Sequence, residues 1–247
     1  SLATALGSKY NITSVTRNDF DLTDTRSTCD WFKNKYFDVV LHTAIVGGNR
    51  LHQDTHDVID QNLLMYYNLL GNKERYGKFI NFGSGAEQFQ PHSPYGISKK
   101  IISDSVINTD NFYNIRIFGI FDENELERRF IRSNITRYLN NEPMIIHNNI
   151  MMDFFYMKDL ISLVEYFIDN TILSKEANCC YQEKITLKSI ADIINTMGEY
   201  SVPIQTTSDK ISDFYCGESI LPPIHIYGLR IGIHNTFTKL QRRNILS

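Results

Sequence analysis

The stretch KFINFGSGAEQFQPHSPYGISKK, Lys78 to Lys100, decides the fold. Its first part, KFINFGSG, reads as a short apolar strand closed by a turn. Its last part, SPYGISKK, opens a helix expected over residues 94–108. Tyr95 and Lys99 stand at i and i+4, so on a helix both side chains project from one face, within reach of a common ligand. Spacing alone leaves a second reading open, a surface pair on an amphipathic helix.

The same alternation runs outward in both directions. Upstream lie NITSVTR as a strand, DTRSTCDWFKNKY as a helix, FDVVLHTA as a largely apolar strand, and a long helical pattern over residues 55–76; downstream, NIRIFGIF is another strand. Strand, helix, strand in this rhythm implies an α/β layer structure, doubly wound around a parallel sheet. Residues 1–9 read as the last turns of an amphipathic helix closed by Gly7, with no starting cap before them. After Phe121 the rhythm changes. A charged helix is expected from Glu123 to Asn140, then a short strand at PMIIH, a mostly helical DFFYMKDLISLVEYFIDN, a Thr-capped helix in TLKSIADIINTM and a last helix in YGLRIGIHNTFTKL. The organisation expected is a first domain over residues 1–121 and a mixed portion over 122–247, with elements of the second returning to the first.

The totals exclude several classes. A chain of 247 residues with 42% hydrophobic residues can bury a substantial core. A net charge of −3 leaves no basic footprint for nucleic acid. Four cysteines, two adjacent at Cys179 and Cys180, form no ligand-type pair and no dense framework, which points to reduced thiols in a cytoplasmic-type compartment. No run approaches the roughly 18 apolar residues of a membrane span, so a soluble protein is expected. No histidine and cysteine cluster has metal-ligand spacing, so no metal is expected.

Seven stretches in order, VTRNDFDLTD, DVVLHTAIVGGN, FINFGSGAE, SPYGISKK, NIRIFGIF, DFFYMKDL and GLRIGIHNTF, resemble the extended short-chain dehydrogenase/reductase superfamily. Within it they resemble the nucleotide-sugar epimerase/dehydratase branch, and the GDP-L-fucose synthases most. The similarity covers nearly the whole chain. It implies a Rossmann-like doubly wound parallel sheet and a small C-terminal α/β substrate-binding portion. The family's dinucleotide-binding glycines lie in a turn after a first strand. Residue 1 matches the middle of the helix beyond that turn, so the strand and glycine turn are absent from these residues and expected upstream of Ser1.

Ser84, Tyr95 and Lys99 match the family's Ser, Tyr and Lys. The resemblance implies that Tyr95 exchanges a proton with a sugar oxygen while a nicotinamide exchanges a hydride with the carbon, and that Ser84 bonds the same oxygen. A tyrosine titrates near pH 10 when unperturbed, so the Lys99 ammonium and the nicotinamide charge must lower it. Lys99 is also expected on the nicotinamide ribose. Arg17 follows the second strand, where NADP-preferring relatives carry a basic residue for the 2′-phosphate; NADP is therefore expected ahead of NAD, and a solvated arginine is the other reading. Asp21 and Leu22 resemble the adenine-contacting segment, although Asp21 is equally a helix cap. Ala44 and HTAIVGG line the expected cofactor cleft, because small residues let a chain pass close to a ligand; Gly47 and Gly48 otherwise make an ordinary turn. His42 reads as a core histidine, and His92 is a second candidate by position.

Departures from the family narrow the chemistry. The fucose synthases use a cysteine and a histidine at positions that hold Ala86 and Phe121 here, so their double epimerisation is not expected. Dehydratases place Asp and Glu where this chain has Gly85 and Ala86. What survives is 4-keto reduction or 4-epimerisation of a nucleotide sugar; a catalytically silent NAD(P)-binding sensor or scaffold is the alternative. Ser84, Gly85 and Arg132 are assigned to the substrate. Arg132 stands in because Met152 occupies the usual arginine position, and a solvated charged face is its other reading. Only ten residues separate Ser84 from Tyr95, which implies a more open pocket. A homodimer is expected through residues 55–76 and 94–108, lined by Leu63, Tyr67, Leu70, Ile101, Ile102 and Val106.

Overall fold

The protein's structure, a computed structural model, describes residues 2–48, 53–171 and 173–246. In chain order its elements are α1 (Leu2–Leu6), α2 (Thr25–Phe32), β1 (Phe37–His42), α3 (Asp57–Leu70), β2 (Tyr76–Ser84), α4 (Ala86–Phe89), α5 (Pro94–Ile107), β3 (Phe112–Ile117), β4 (Ile120–Phe121) and α6 (Phe130–Leu139). They continue with β5 (Met144–Ile146), β6 (Met151–Met152), β7 (Phe155–Tyr156), α7 (Met157–Asp169), β8 (Glu176–Cys179), α8 (Leu187–Asn195), β9 (Ile204–Thr206), β10 (Phe214–Tyr215) and α9 (Leu229–Leu246). The chain forms two compact units, one of residues 1–116 and 164–177, the other of residues 117–163 and 178–247. No helix among the described residues is long and apolar enough to cross a membrane.

The first unit is built on a sheet ordered β1-β2-β3-β8, with β1 and β2 parallel and His42 in register with Asn81. This is the Rossmann-like α/β architecture that the strand and helix rhythm implied. From Phe79 to Ser84, β2 is buried at every residue, so its sequence does not alternate; it is apolar or small except at Asn81, whose amide donates to Asn114 Oδ1 at 2.7 Å. Helix starts are set by side chains. Asp24 accepts Arg26 and Ser27 N–H groups at the head of α2, and Ser93 accepts Gly96 N–H ahead of Pro94 at the head of α5. Phe32, Tyr66, Leu69, Tyr76, Phe79, Ile102, Val106 and Phe112 join these elements in one cluster. Each such side chain contributes about 1.5–3 kcal/mol on burial.

The second unit packs α6, α8 and α9 around Ile131, Ile135, Tyr138, Met144, Met152, Ile190, Ile194, Ile233 and Phe237. Three parallel strand pairs, β4–β7, β5–β9 and β6–β10, edge this core. Thr186 caps α8 by accepting Ser189 N–H, as TLKSIADIINTM predicts. Asp159 accepts N–H groups of Tyr227 and Gly228, which fixes the entry to α9.

Several expectations change. NITSVTR forms no strand: residues 11–16 are exposed, and β1 ends the sheet with no strand on its outer edge among the described residues. An extended segment gains ladder hydrogen bonds only from a neighbour. The charged helix starts at Phe130 and not at Glu123, because residues 123–129 turn and Glu125 Oε1 instead accepts the Arg132 N–H at 3.0 Å. The helix over residues 55–76 ends at Leu70, a 3₁₀ turn follows, and Tyr76 already belongs to β2. Ile102 and Val106 are core residues, so of the expected dimer-lining side chains Tyr67 and Ile101 are exposed, together with Leu64.

Candidate active site

The site lies where β2 ends. Ser84 is its last residue and is buried; its Oγ accepts the Ala86 N–H at 3.1 Å, which leaves the hydroxyl proton to donate elsewhere. Lys99, one helical turn beyond Tyr95 on α5, is only 5% exposed and donates from Nζ to the Phe82 carbonyl at 2.6 Å. Its Nζ also lies 5.8 Å from the centre of the Tyr95 ring. Lys99 thus ties the Tyr95 face of α5 to β2 two residues before Ser84, the last residue of the strand. Burial pushes the Lys99 ammonium down to about 8, with the Glu87 charge opposing the fall.

The loop after β1 closes on the same tyrosine. Gly47 and Gly48 have φ of +82° and +71°, a region that favours glycine. A Cβ on Gly48 would stand 2.8 Å from two Tyr95 ring atoms. Two side chains hold this loop. Asp54 accepts the Gly48 N–H, and the fully buried Asn62 of α3 brackets Val46, accepting its N–H at 2.9 Å and donating to its carbonyl at 3.0 Å. Asn62 donates further to Ser98 Oγ, whose hydroxyl donates to the Tyr95 carbonyl. Ala44 lies half-buried on this loop.

Other expected residues sit apart from that cluster. Arg17 is exposed and pairs weakly with Asp21 at 3.7 Å. The Asp21 carboxylate accepts the Thr23 N–H and hydroxyl, which hold its pKa below the usual range, so it shapes the DLTD turn. The Leu22 carbonyl accepts from Asn68 of α3. His92 is exposed in the turn before α5. His42 is a core histidine: its ring meets Asn81 Oδ1 at 3.1 Å, and burial, with Lys99 nearby, drives it down to about 4. Arg132 belongs to the second unit, where it pairs with Glu127 at 3.1 Å and bonds the Glu125 carbonyl. It lines a cavity of about 470 Å³ with Asn124, Glu125, Leu126, Glu127 and Arg128. Met152 is buried in that unit's core. No group of acidic, histidine and cysteine residues among those described is arranged to hold a metal.

Sequence reasoning missed Asn62, Asp54, Glu87 and Arg116. For Glu87 a signal was present, since Ser84-x-x-Glu87 has the spacing of a reciprocal helix cap. Asn62 and Arg116 are polar residues whose partners lie far along the chain, and Asp54 reaches back to Gly48 within a loop of no regular pattern.

Comparison with known proteins follows the same lines. A model of the NAD dependent epimerase/dehydratase family matches residues 2–179. A search of curated proteins returned no match. Similar solved structures include a GDP-6-OMe-4-keto-L-xylo-heptose reductase from Campylobacter jejuni, at 13% identity and a TM-score of 0.77, covering 98% of this chain and 94% of that one. A GDP-mannoheptose C4 reductase from Campylobacter jejuni with NADP bound matches at 13% identity and 0.77, covering 98% and 93%. A UDP-glucuronic acid 4-epimerase from Bacillus cereus in complex with NAD matches at 15% and 0.73, covering 98% and 84%. Likeness at such identities establishes the fold. The family match spans most of the chain and includes the Ser84, Tyr95 and Lys99 cluster: the chain belongs to the NAD dependent epimerase/dehydratase family.

Proposed function

We propose that the protein is an NADP-dependent oxidoreductase of nucleotide-linked sugars, carrying out 4-keto reduction or 4-epimerisation with Tyr95 as the acid or base. The observation that supports this reading is the buried Lys99, which bonds β2 at the Phe82 carbonyl, two residues before Ser84, and lies 5.8 Å from the Tyr95 ring. Family membership makes a nicotinamide cofactor the expected one, and the residues present suit its nicotinamide end. The positive-φ Gly47–Gly48 turn and Ala44 leave slender backbone beside Tyr95, and the buried Lys99 ammonium supplies ribose-binding donors. Arg17, exposed and only loosely paired, favours a 2′-phosphate and hence NADP over NAD; Asp21 and Leu22 are assigned to the adenine side.

When bound, the nicotinamide supplies or takes the hydride at the sugar carbon. Tyr95 Oη gives a proton to the substrate oxygen in reduction and takes it in oxidation. Ser84 donates its hydroxyl proton to that oxygen as a hydrogen bond, since its acceptor side is used by Ala86 N–H. Lys99 stays largely charged at neutral pH, which favours the tyrosinate during transfer. Gly85 and Arg132 are assigned to the substrate, residues 1–121 to the cofactor and residues 122–247 to the nucleotide sugar. The motif order keeps its likeness to the GDP-L-fucose synthases, but Ala86 and Phe121 are buried and carry no transferable proton, so their double epimerisation is not part of the reading. We also place the protein as a cytoplasmic homodimer.

GDP-linked 4-keto sugars are the first substrates to test, because two of the similar structures are reductases of GDP-heptoses. NADPH oxidation with such a sugar is the expected result. The second reading, a silent nucleotide-binding protein, draws on Met152, which is buried where relatives carry an arginine. NADPH binding without oxidation across GDP-, UDP- and dTDP-linked keto sugars would favour it.

A further inference from the structure

The strand end that carries Ser84 rests on a buried ion pair that hydride and proton transfer do not themselves require. Glu87, on α4, is 4% exposed. Its Oε1 accepts the Ser84 backbone N–H at 2.8 Å and its Oε2 accepts from Arg116 Nε at 2.7 Å. Arg116, on β3, is buried as well and gives Nη2 to Glu176 at 2.9 Å. The carboxylate fills the space beside Gly83, where a Cβ would overlap Glu87 Oε1.

Glu87 thus caps the Ser84 N–H, and Ser84 Oγ takes the Ala86 N–H, in the turn that leads through Gly85 into α4. Such a cap works equally well in solvent and does not call for burial against an arginine. Lys99 engages the same strand two residues earlier, at the Phe82 carbonyl, and backbone groups at that spacing on a strand point the same way. Both Glu87 oxygens are engaged, so the carboxylate is not placed to shuttle a proton.

We propose that Glu87 is a positioning residue of the candidate active site, anchoring the Ser84 end of β2 through its backbone N–H and standing as the buried counter-charge to Lys99. Its meaning for catalysis rests on the reading of Ser84, Tyr95 and Lys99 given above. The ionisable groups around Lys99 are Tyr95 on its own helix, His42 on β1, Glu87 on α4, and behind Glu87 the pair of Arg116 on β3 and Glu176 on β8. Burial holds His42 neutral near pH 7, so Glu87 is the negative charge that acts on Lys99 against the effect of burial.

The test is an NMR titration of Lys99 in the cofactor-free protein with isotope-labelled lysine, the signal assigned from Lys99→Met. Glu87→Gln keeps the shape and an acceptor for Ser84 N–H but removes the charge. It is expected to lower the Lys99 midpoint by about one pH unit or more, and the alkaline limb of NADPH-linked turnover should fall with it. Glu176→Gln loosens the outer side of Arg116 and should leave the midpoint in place, which separates counter-charge from general damage. Should Glu87→Gln not fold, the double variant Glu87→Gln/Arg116→Gln removes the buried pair together and leaves only the partly exposed Glu176 without its partner; because the Arg116 cation goes too, a smaller fall is expected, and no fall overturns the proposal. An unchanged Lys99 midpoint in the folded variant overturns the proposal. The titration needs neither cofactor nor substrate. A lowered midpoint in a protein that turns over no nucleotide sugar upholds Glu87 as counter-charge and defeats the catalytic reading instead.

Discussion

In the proposed site, Lys99 gives up stability at a single residue. Its ammonium titrates at about 8 in the fold, against 10.5 for an ordinary lysine, so burying the charge costs up to roughly 3 kcal/mol below pH 8. The sign is that of a depressed cation: the cost is relieved as pH rises from about 8 to 10.5, when the folded protein has already released the proton. Loss of that charge should also remove its help to Tyr95. Arg17 is the opposite kind of residue, exposed and held only by a 3.7 Å ion pair worth little in water. Arg17→Asp should therefore leave folding unchanged while weakening NADPH about 10- to 100-fold, the worth of a charge-assisted bond to phosphate, and sparing NADH. Isothermal titration checks this, and equal NADPH affinity in both proteins would remove Arg17 from the cofactor. Ser84, Tyr95 and Lys99 were singled out in the sequence by the family resemblance, and the i, i+4 spacing of the last two put them on one helix face; their roles belong to the proposal. Asn62 and Arg116 were not, because a buried polar residue takes its meaning from partners far along the chain.

At the scale of elements, the site depends on the junction of β2 and α5 with the loop after β1. That loop meets Tyr95 at Gly48, whose φ of +71° and 2.8 Å approach to the ring leave no room for a methyl group. Gly48→Ala is expected to strain the turn and displace the ring, lowering turnover by about 10²-fold with the fold retained, since displacements near 1 Å suffice for such losses. Steady-state kinetics beside circular dichroism would show it; full turnover would mean that the turn does not position Tyr95. Most elements could be read from periodicity and caps. NITSVTR could not, because strand propensity without a neighbouring strand yields no ladder. Nor could the start of α6, because Glu125 and Glu127 lie in the turns before it and bond forward to Arg132, Glu125 taking its N–H and Glu127 its Nη2.

At the scale of the whole molecule, the alternation from β1 to β3 announced an α/β protein, while residues 164–177 belong to the first unit and residues 117–163 to the second. Periodicity names an element without saying which sheet or core receives it. Leu64, Tyr67 and Ile101 remain exposed on α3 and α5, an apolar patch that a second copy would cover. Light scattering at micromolar concentration should give a dimer mass, and Tyr67→Glu together with Ile101→Glu should give a monomer; a monomeric wild-type protein would contradict this. The central claim is that Tyr95 moves the proton in a hydride-transfer reaction on a nucleotide sugar. Its most direct test is single-turnover NADPH oxidation by wild type and Tyr95→Phe with a GDP-linked 4-keto sugar, NADPH binding being confirmed for both. Removal of the phenolic hydroxyl should slow oxidation by about 10²–10⁴-fold while NADPH affinity persists; equal rates in the two proteins, with chemistry limiting, would contradict the account.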